Sequence, residues 1–172
     1  LVGSEMCIRD RLSTDPWLKS LNIEFVNAAI SDTDGTTKID CYYDLNEQNY
    51  TDVGSNNFNL KNDYFTGIWP EMYADMGEKY CSTVEVPTVC FSEFLDKHTN
   101  YGDEVIIKMD IEGAEFITLT KMLENNTHTL AKTMFIEWHE RFWPEEQDKY
   151  VMWKTQIIHK LAEDKVDAKI WW

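Results

Sequence analysis

The chain has 172 residues, 43% hydrophobic and 13% aromatic, which is the length of one domain and enough apolar side chain for a sizeable core rather than a disordered segment. Sixteen basic against thirty-one acidic residues give a formal net charge of -15, a field that repels phosphate backbones and argues against nucleic acid as a direct partner. No apolar run reaches the roughly 18 residues of a membrane span, and Cys7, Cys41, Cys81 and Cys90 form no CxxC pair and no metal-ligand spacing.

In chain order, Leu1 to Asp10 has the look of a translated sequencing-adapter scar, with no starting methionine. Residues 1–11 are therefore set aside, and 12–172 are taken as the domain. Asp15 to Leu21 is the end of a helix or a loop. Asn22 to Ile30 reads as a strand, Ser31 to Gly35 as a turn on its Asp-Gly pair, and Thr36 to Tyr43 as a strand pairing back on the first. Residues 44–63 are polar and asparagine-rich, a long loop or insertion. Tyr64 to Tyr80 has the spacing of a short helix after Pro70.

Ser82 to Val89 reads as an edge strand, because Pro87 removes a ladder donor. Ser92 to His98 is a short helix with Ser92 as its expected N-cap. Ala114 to Glu124 is a helix with Phe116, Leu119 and Leu123 on one face. Met134 to Trp138 is a second buried strand. Pro144 suits the first turn of a helix whose stripe is Tyr150, Trp153, Ile157 and Leu161. Val166 to Trp172 starts a further strand. Strands alternating with helices predict an α/β layered sheet. His98, His128 and His159 sit in polar contexts and read as surface residues.

The chain is organised around Val105 to Phe116. It opens as an apolar run, breaks at Asp110, Glu112 and Gly113, and resumes with helical spacing. Residues 105–109 predict a strand buried on both faces, with the two acids at its carboxyl end, where open α/β sheets bind ligands. Asp110 and Glu112 either cap the following helix or carry chemistry. Glu137 shifts the balance, since a carboxylate inside the apolar segment from Met134 to His139 costs several kcal/mol unless paired or placed at a site. Strand alternation puts Glu137 and His139 on one face. If the two strands are parallel neighbours, Asp110, Glu112, Glu137 and His139 converge. Such a cluster can hold a divalent metal, for instance through Asp110, Glu137 and His139. It can supply a general base for a hydroxyl. Alternatively, Lys108 neutralises Glu137 as a structural pair.

The segment Ile107-Lys108-Met109-Asp110-Ile111-Glu112-Gly113-Ala114-Glu115 closely resembles the signature of the FkbM family of S-adenosylmethionine-dependent methyltransferases. Three further blocks resemble that family's in the same order: Val26 to Gly35, Val86 to Leu95, and Met134 to His139. The resemblance implies a Rossmann-like class I methyltransferase fold, a seven-stranded sheet with helices on both faces. In that scheme Ile23–Ile30, Val105–Met109 and Met134–Trp138 correspond to strands three, four and five, and Val166–Trp172 to one of a final antiparallel pair. The first two strands, with the glycine-rich loop and the ribose-binding acid, have no counterpart, so the chain is expected to be a truncated domain, inactive alone. The implied cofactor contacts that remain are Ser31 and Asp32 at the adenine end and Asp110 near the methyl group. The implied reaction is O-methylation of a sugar, glycan or small-metabolite hydroxyl, with Asp110, Glu112, Glu137 and His139 as the catalytic candidates. Two other classes stay open: a glycoside hydrolase using Asp110 and Glu112 as its carboxylate pair, and a non-catalytic binding module that retains the fold.

Overall fold

The structure is a computed structural model that describes Ser20 and residues 23–24, 26–44 and 79–171, with the backbone alone at 39–44 and 79–84. The expected scar, most of Asp15 to Leu21, the polar insertion beyond Asp44 and the helix around Pro70 lie outside the described residues.

The elements are β1 (Ala29–Ser31), β2 (Gly35–Asp44), β3 (Lys79–Cys90), α1 (Phe91–His98), β4 (Val105–Met109), α2 (Glu115–Glu124), β5 (Ala131–Ile136), α3 (Gln147–Glu163) and β6 (Asp167–Ile170). Short 3-10 turns sit at Thr127–Leu130, Glu140–Phe142 and Pro144–Glu146. The strands form two three-stranded sheets, ordered β1-β3-β2 and β4-β5-β6, so the chain is mixed α/β as expected.

The first sheet corrects three expectations. The opening strand covers only Ala29–Ser31, and Ile23 and Val26 upstream are 40% and 43% exposed. β2 does not pair with β1; both flank β3, β1 parallel and β2 antiparallel. The turn between them is held open by β3 itself. The Cys90 amide donates to the Asp34 carboxylate at 2.7 Å, and the Thr88 hydroxyl donates to the Thr33 carbonyl at 3.0 Å. β3 is therefore the central strand, despite Pro87. The proline is tolerated because β1 spans only Thr88 to Cys90, so at Pro87 no described strand occupies that side.

The second sheet is all parallel, as the β4–α2–β5–α3–β6 alternation requires. β4 and β5 are neighbours, as expected. β4 is not buried on both faces: Ile107 and Met109 are buried, while Ile106 is 61% exposed. On the buried face, Ile107, Met109, Met134 and Ile136 pack with Phe116, Leu119 and Met122 of α2 and Tyr150, Ile157 and Leu161 of α3 in one cluster. β6, in the last expected strand, pairs with β5 and runs parallel to it, because α3 carries the chain back before the strand begins.

Phe116, fully buried, anchors the aromatic part of this core. Its ring lies 5.0 to 5.8 Å from those of Tyr150, Trp138, Trp153 and Trp143, mostly edge-to-face, the arrangement that ring quadrupoles favour. Ser92 is not a cap. α1 starts one residue earlier, at Phe91, and Ser92 is buried with its hydroxyl 2.7 Å from that of Thr127. That link ties the helix to the turn after α2. His128, expected at the surface, is fully buried there. Asn126, with a left-handed φ of 59°, turns the chain inward, and the imidazole joins Met122 O (3.2 Å) to Asp164 Oδ2 (2.6 Å). His98 and His159 are exposed, as expected.

Candidate functional site

β4 delivers the site. After Met109 the chain leaves the sheet at Asp110, buries Ile111, and passes through two residues of positive φ, Glu112 (53°) and Gly113 (101°), before α2 begins. Gly113 is required twice over. Its backbone conformation is one L side chains rarely adopt, and a Cβ there would lie 2.8 Å from Cη2 of Trp143. Glu112 holds a left-handed conformation without that freedom, at a cost of roughly 1 kcal/mol, and so swings its carboxylate back toward the end of the sheet.

The capping reading of Asp110 and Glu112 is overturned by Glu115. This fully buried carboxylate accepts the Ile111 amide on Oε1 (3.1 Å) and the Gly113 amide on Oε2 (2.9 Å). It therefore satisfies the amides of the turn into the helix, and neither Asp110 nor Glu112 is needed for that. Sequence reasoning missed Glu115. The available signal was its spacing: four residues before Leu119 and seven before Met122, it shares their buried face.

Glu115 also holds His139. The imidazole is 1% exposed, with Nδ1 2.8 Å from Oε1 of Glu115. Both oxygens of Glu115 already accept amide hydrogens, so Nδ1 is the donor, and Nε2 points away. Nε2 lies 3.6 Å from Oε2 of Glu112 and 3.6 Å from Oε1 of Glu137. Donor atoms of Asp110, Glu112 and His139 lie within 4.8 Å of one another. All four predicted residues thus meet at the carboxyl ends of β4 and β5. Glu137 and His139 are not strand residues, since β5 ends at Ile136, but the Glu137 amide continues the ladder to Met109 O at 2.9 Å.

Lys108 does not neutralise Glu137. Its ammonium lies 3.8 Å from Asp110, while Arg141 lies 3.6 Å from Glu137. Both cations are on well-exposed side chains, where such pairs contribute little. Burial pushes the Glu112 carboxyl above its usual range; His139 opposes this, and the charges of Asp110, Glu115 and Glu137 add to it. Burial pulls the His139 imidazole down, but the hydrogen bond and charge of Glu115, with the charge of Glu112, outweigh it and leave the imidazole more basic than usual.

Ser31 and Asp32 lie at the end of β1, in the other sheet. Ser31 is buried, and its hydroxyl donates to Asp32 Oδ1 at 3.1 Å, which Thr33 also approaches at 3.4 Å. Among the described residues their side-chain hydrogen bonds are with each other and with Thr33, and none reaches the acid–imidazole cluster. No helix among the described residues is long and apolar enough to cross a membrane.

Neither a curated protein nor a solved structure matches the chain. A family model does: the Methyltransferase FkbM domain matches residues 7–164, nearly the whole chain and every residue of the cluster. That match agrees with the ordered blocks read in the sequence, and with strand-end acids that the structure gathers around one buried imidazole; the chain belongs to the FkbM methyltransferase-domain family.

Proposed function

We propose that the chain is the core of an S-adenosylmethionine-dependent O-methyltransferase acting on a hydroxyl of a sugar, glycan or small metabolite. The observation that carries this reading is His139: a buried imidazole, oriented through Nδ1 by Glu115, with Nε2 turned into three carboxylates at the end of a parallel sheet. Positioned groups of this kind take up or stabilise the proton that a hydroxyl gives up.

The donor set suits the cofactor. Asp32 offers a part-exposed acceptor for the adenine amino group, and Asp110, 38% exposed, offers one for the cationic methionine end. When bound, S-adenosylmethionine supplies an electrophilic sulfonium methyl. This chain's own contribution is to hold the acceptor hydroxyl near Asp110, Glu112, Glu137 and His139 and to receive its proton there. The net charge of -15 favours a neutral or cationic acceptor over nucleic acid. Family membership weighs against the glycoside hydrolase alternative.

The test is transfer of labelled methyl from S-adenosylmethionine to a panel of sugars, glycans and hydroxylated metabolites by the protein that carries this domain. Product is expected with at least one hydroxyl acceptor, and Asp110→Asn should reduce it about a hundredfold or more. Product unchanged in Asp110→Asn, or formed only on nitrogen or carbon, would defeat the assignment. Absence of transfer to every acceptor would favour a binding module.

A further inference from the structure

We propose that Asp110, Glu112 and His139 form a site for one divalent transition-metal ion, with Glu115 as the residue that positions its histidine ligand. Three separate backbone features converge to bring these donors together: the end of β4, the left-handed residue after it, and the loop after β5.

His139 supplies the observation that acids alone would not. It is 1% exposed, and among the described residues its Nε2 has no hydrogen-bond partner, the acid oxygens of Glu112 and Glu137 standing off at 3.6 Å. That distance is too long for a hydrogen bond. It is close to the separation between two ligand atoms around a tetrahedral ion with bonds of about 2.1 Å, which is about 3.4 Å. A histidine whose other nitrogen is fixed by a carboxylate is the usual arrangement behind a metal-bound imidazole. Here Glu115, locked by two amides, is that carboxylate. The cations nearby do not fill the site. Lys108 approaches Asp110 and Arg141 approaches Glu137, both from exposed side chains, and among the described residues Glu112 has no ion pair with a lysine or arginine, its 3.6 Å pair being with the imidazole.

Two carboxylates and one imidazole suit Mn²⁺, Fe²⁺, Co²⁺ or Zn²⁺ better than Mg²⁺, which prefers all-oxygen coordination. The existence of the site stands apart from the methyl-transfer reading; its use, lowering the pKa of a coordinated acceptor hydroxyl with Glu137 beside it to take the proton, rests on that reading.

The experiment is a Mn²⁺ titration of the chelator-stripped full chain, followed by the electron paramagnetic resonance signal of free Mn²⁺, with no methyl donor or acceptor present. One ion per chain is expected above the weak binding of an acidic surface. Asp110→Asn, Glu112→Gln and His139→Ala should each weaken that ion at least tenfold, and Glu115→Gln about tenfold although it removes no ligand. Glu163→Gln and Asp167→Asn, remote surface changes, should leave it unaltered. Circular dichroism checks each variant's fold. If the buried changes at 115 and 139 unfold the chain, the half-exposed Glu112 decides. Wild type without a one-to-one ion, or Glu112→Gln and Asp110→Asn binding as wild type does, would overturn the site. A Mn²⁺-loaded protein without methyl transfer would leave the site standing and count against the function instead. Undiminished transfer by metal-free protein would refute the ion's catalytic use alone.

Discussion

Two buried histidines sit at opposite ends of β5, and they are used differently. His128, just before the strand, is bonded at both ring nitrogens, to a backbone carbonyl and to Asp164. His139, just after it, is bonded among the described residues at one nitrogen, and turns the other into a group of acids. Both rings are almost fully inaccessible, so burial does not separate them. What separates them is whether the second nitrogen is satisfied. A ring with both nitrogens bonded is a staple between elements, here α2, the turn after it and the end of α3. A ring held at one nitrogen presents the other to a further partner, and among the described residues only acids stand near it.

The contrast is broken most directly by exchanging the defects. His139→Ala should lower methyl transfer about a hundredfold or more, while His128→Ala leaves transfer within a few-fold and instead lowers unfolding free energy by about 2 kcal/mol. Labelled-methyl assays and urea melts on the two variants give the answer. Equal activity losses would erase the distinction.

Glu115→Ala should give the largest loss of stability, about 3–5 kcal/mol, because it strips the partner from two buried amides and from His139 together. Denaturant midpoints measure it; a loss below about 1 kcal/mol would mean that the turn holds without its carboxylate. Gly113→Ala is expected to cost about 2 kcal/mol, from its φ of 101° and from the Trp143 ring that the new methyl would strike. The same melts, with tryptophan fluorescence to follow the displaced ring, test it.

The smallest effect is at the His128 end. The hydrogen bonds of Lys160 and then of His128 hold the Asp164 carboxyl below its ordinary value of 3.8. A carboxyl depressed in the folded state contributes stability that is complete above pH 3.8 and is lost as the pH falls through its lower folded value. Asp164→Asn should therefore flatten the acid limb of the stability curve below that pH and leave methyl transfer alone. An unchanged limb would show that Asp164 adds nothing.

Much of the second sheet was legible from local pattern. The apolar run before Asp110, the 3.6-residue stripe of α3 and the lone acid after Met134-Phe135-Ile136 each carry their own signal, and the parallel pairing follows from strands alternating with helices. The first sheet was misread because pairing there is not local. The Asp-Gly turn signals a hairpin only if nothing enters between its arms, and β3, whose last residues bind Asp34 and Thr33, does enter. Pro87 bars a ladder partner only at its own position, and β1 pairs with β3 from Thr88 onward, so the proline does not make β3 an edge. His128 was misplaced because polar surroundings in sequence say nothing about a carboxylate 36 residues away.

At the opening stretch, sequence alone determined that Asp110 and Glu112 stand at a strand end, that a second acid and a histidine follow on another strand, and that the ordered blocks resemble one family. These are properties of residue identity and spacing. Only the tertiary structure decided that Glu115 satisfies the turn and so leaves the two acids free, and that Trp143 closes over Gly113. It also decided which nitrogen of His139 faces them. The last two outcomes depend on a hydrogen bond and a ring contact between segments 24 and 30 residues apart in the chain, which no local periodicity encodes. The first spans only two to four residues, but whether a helix-start acid turns back onto the amides before it is decided by its burial in the packed core.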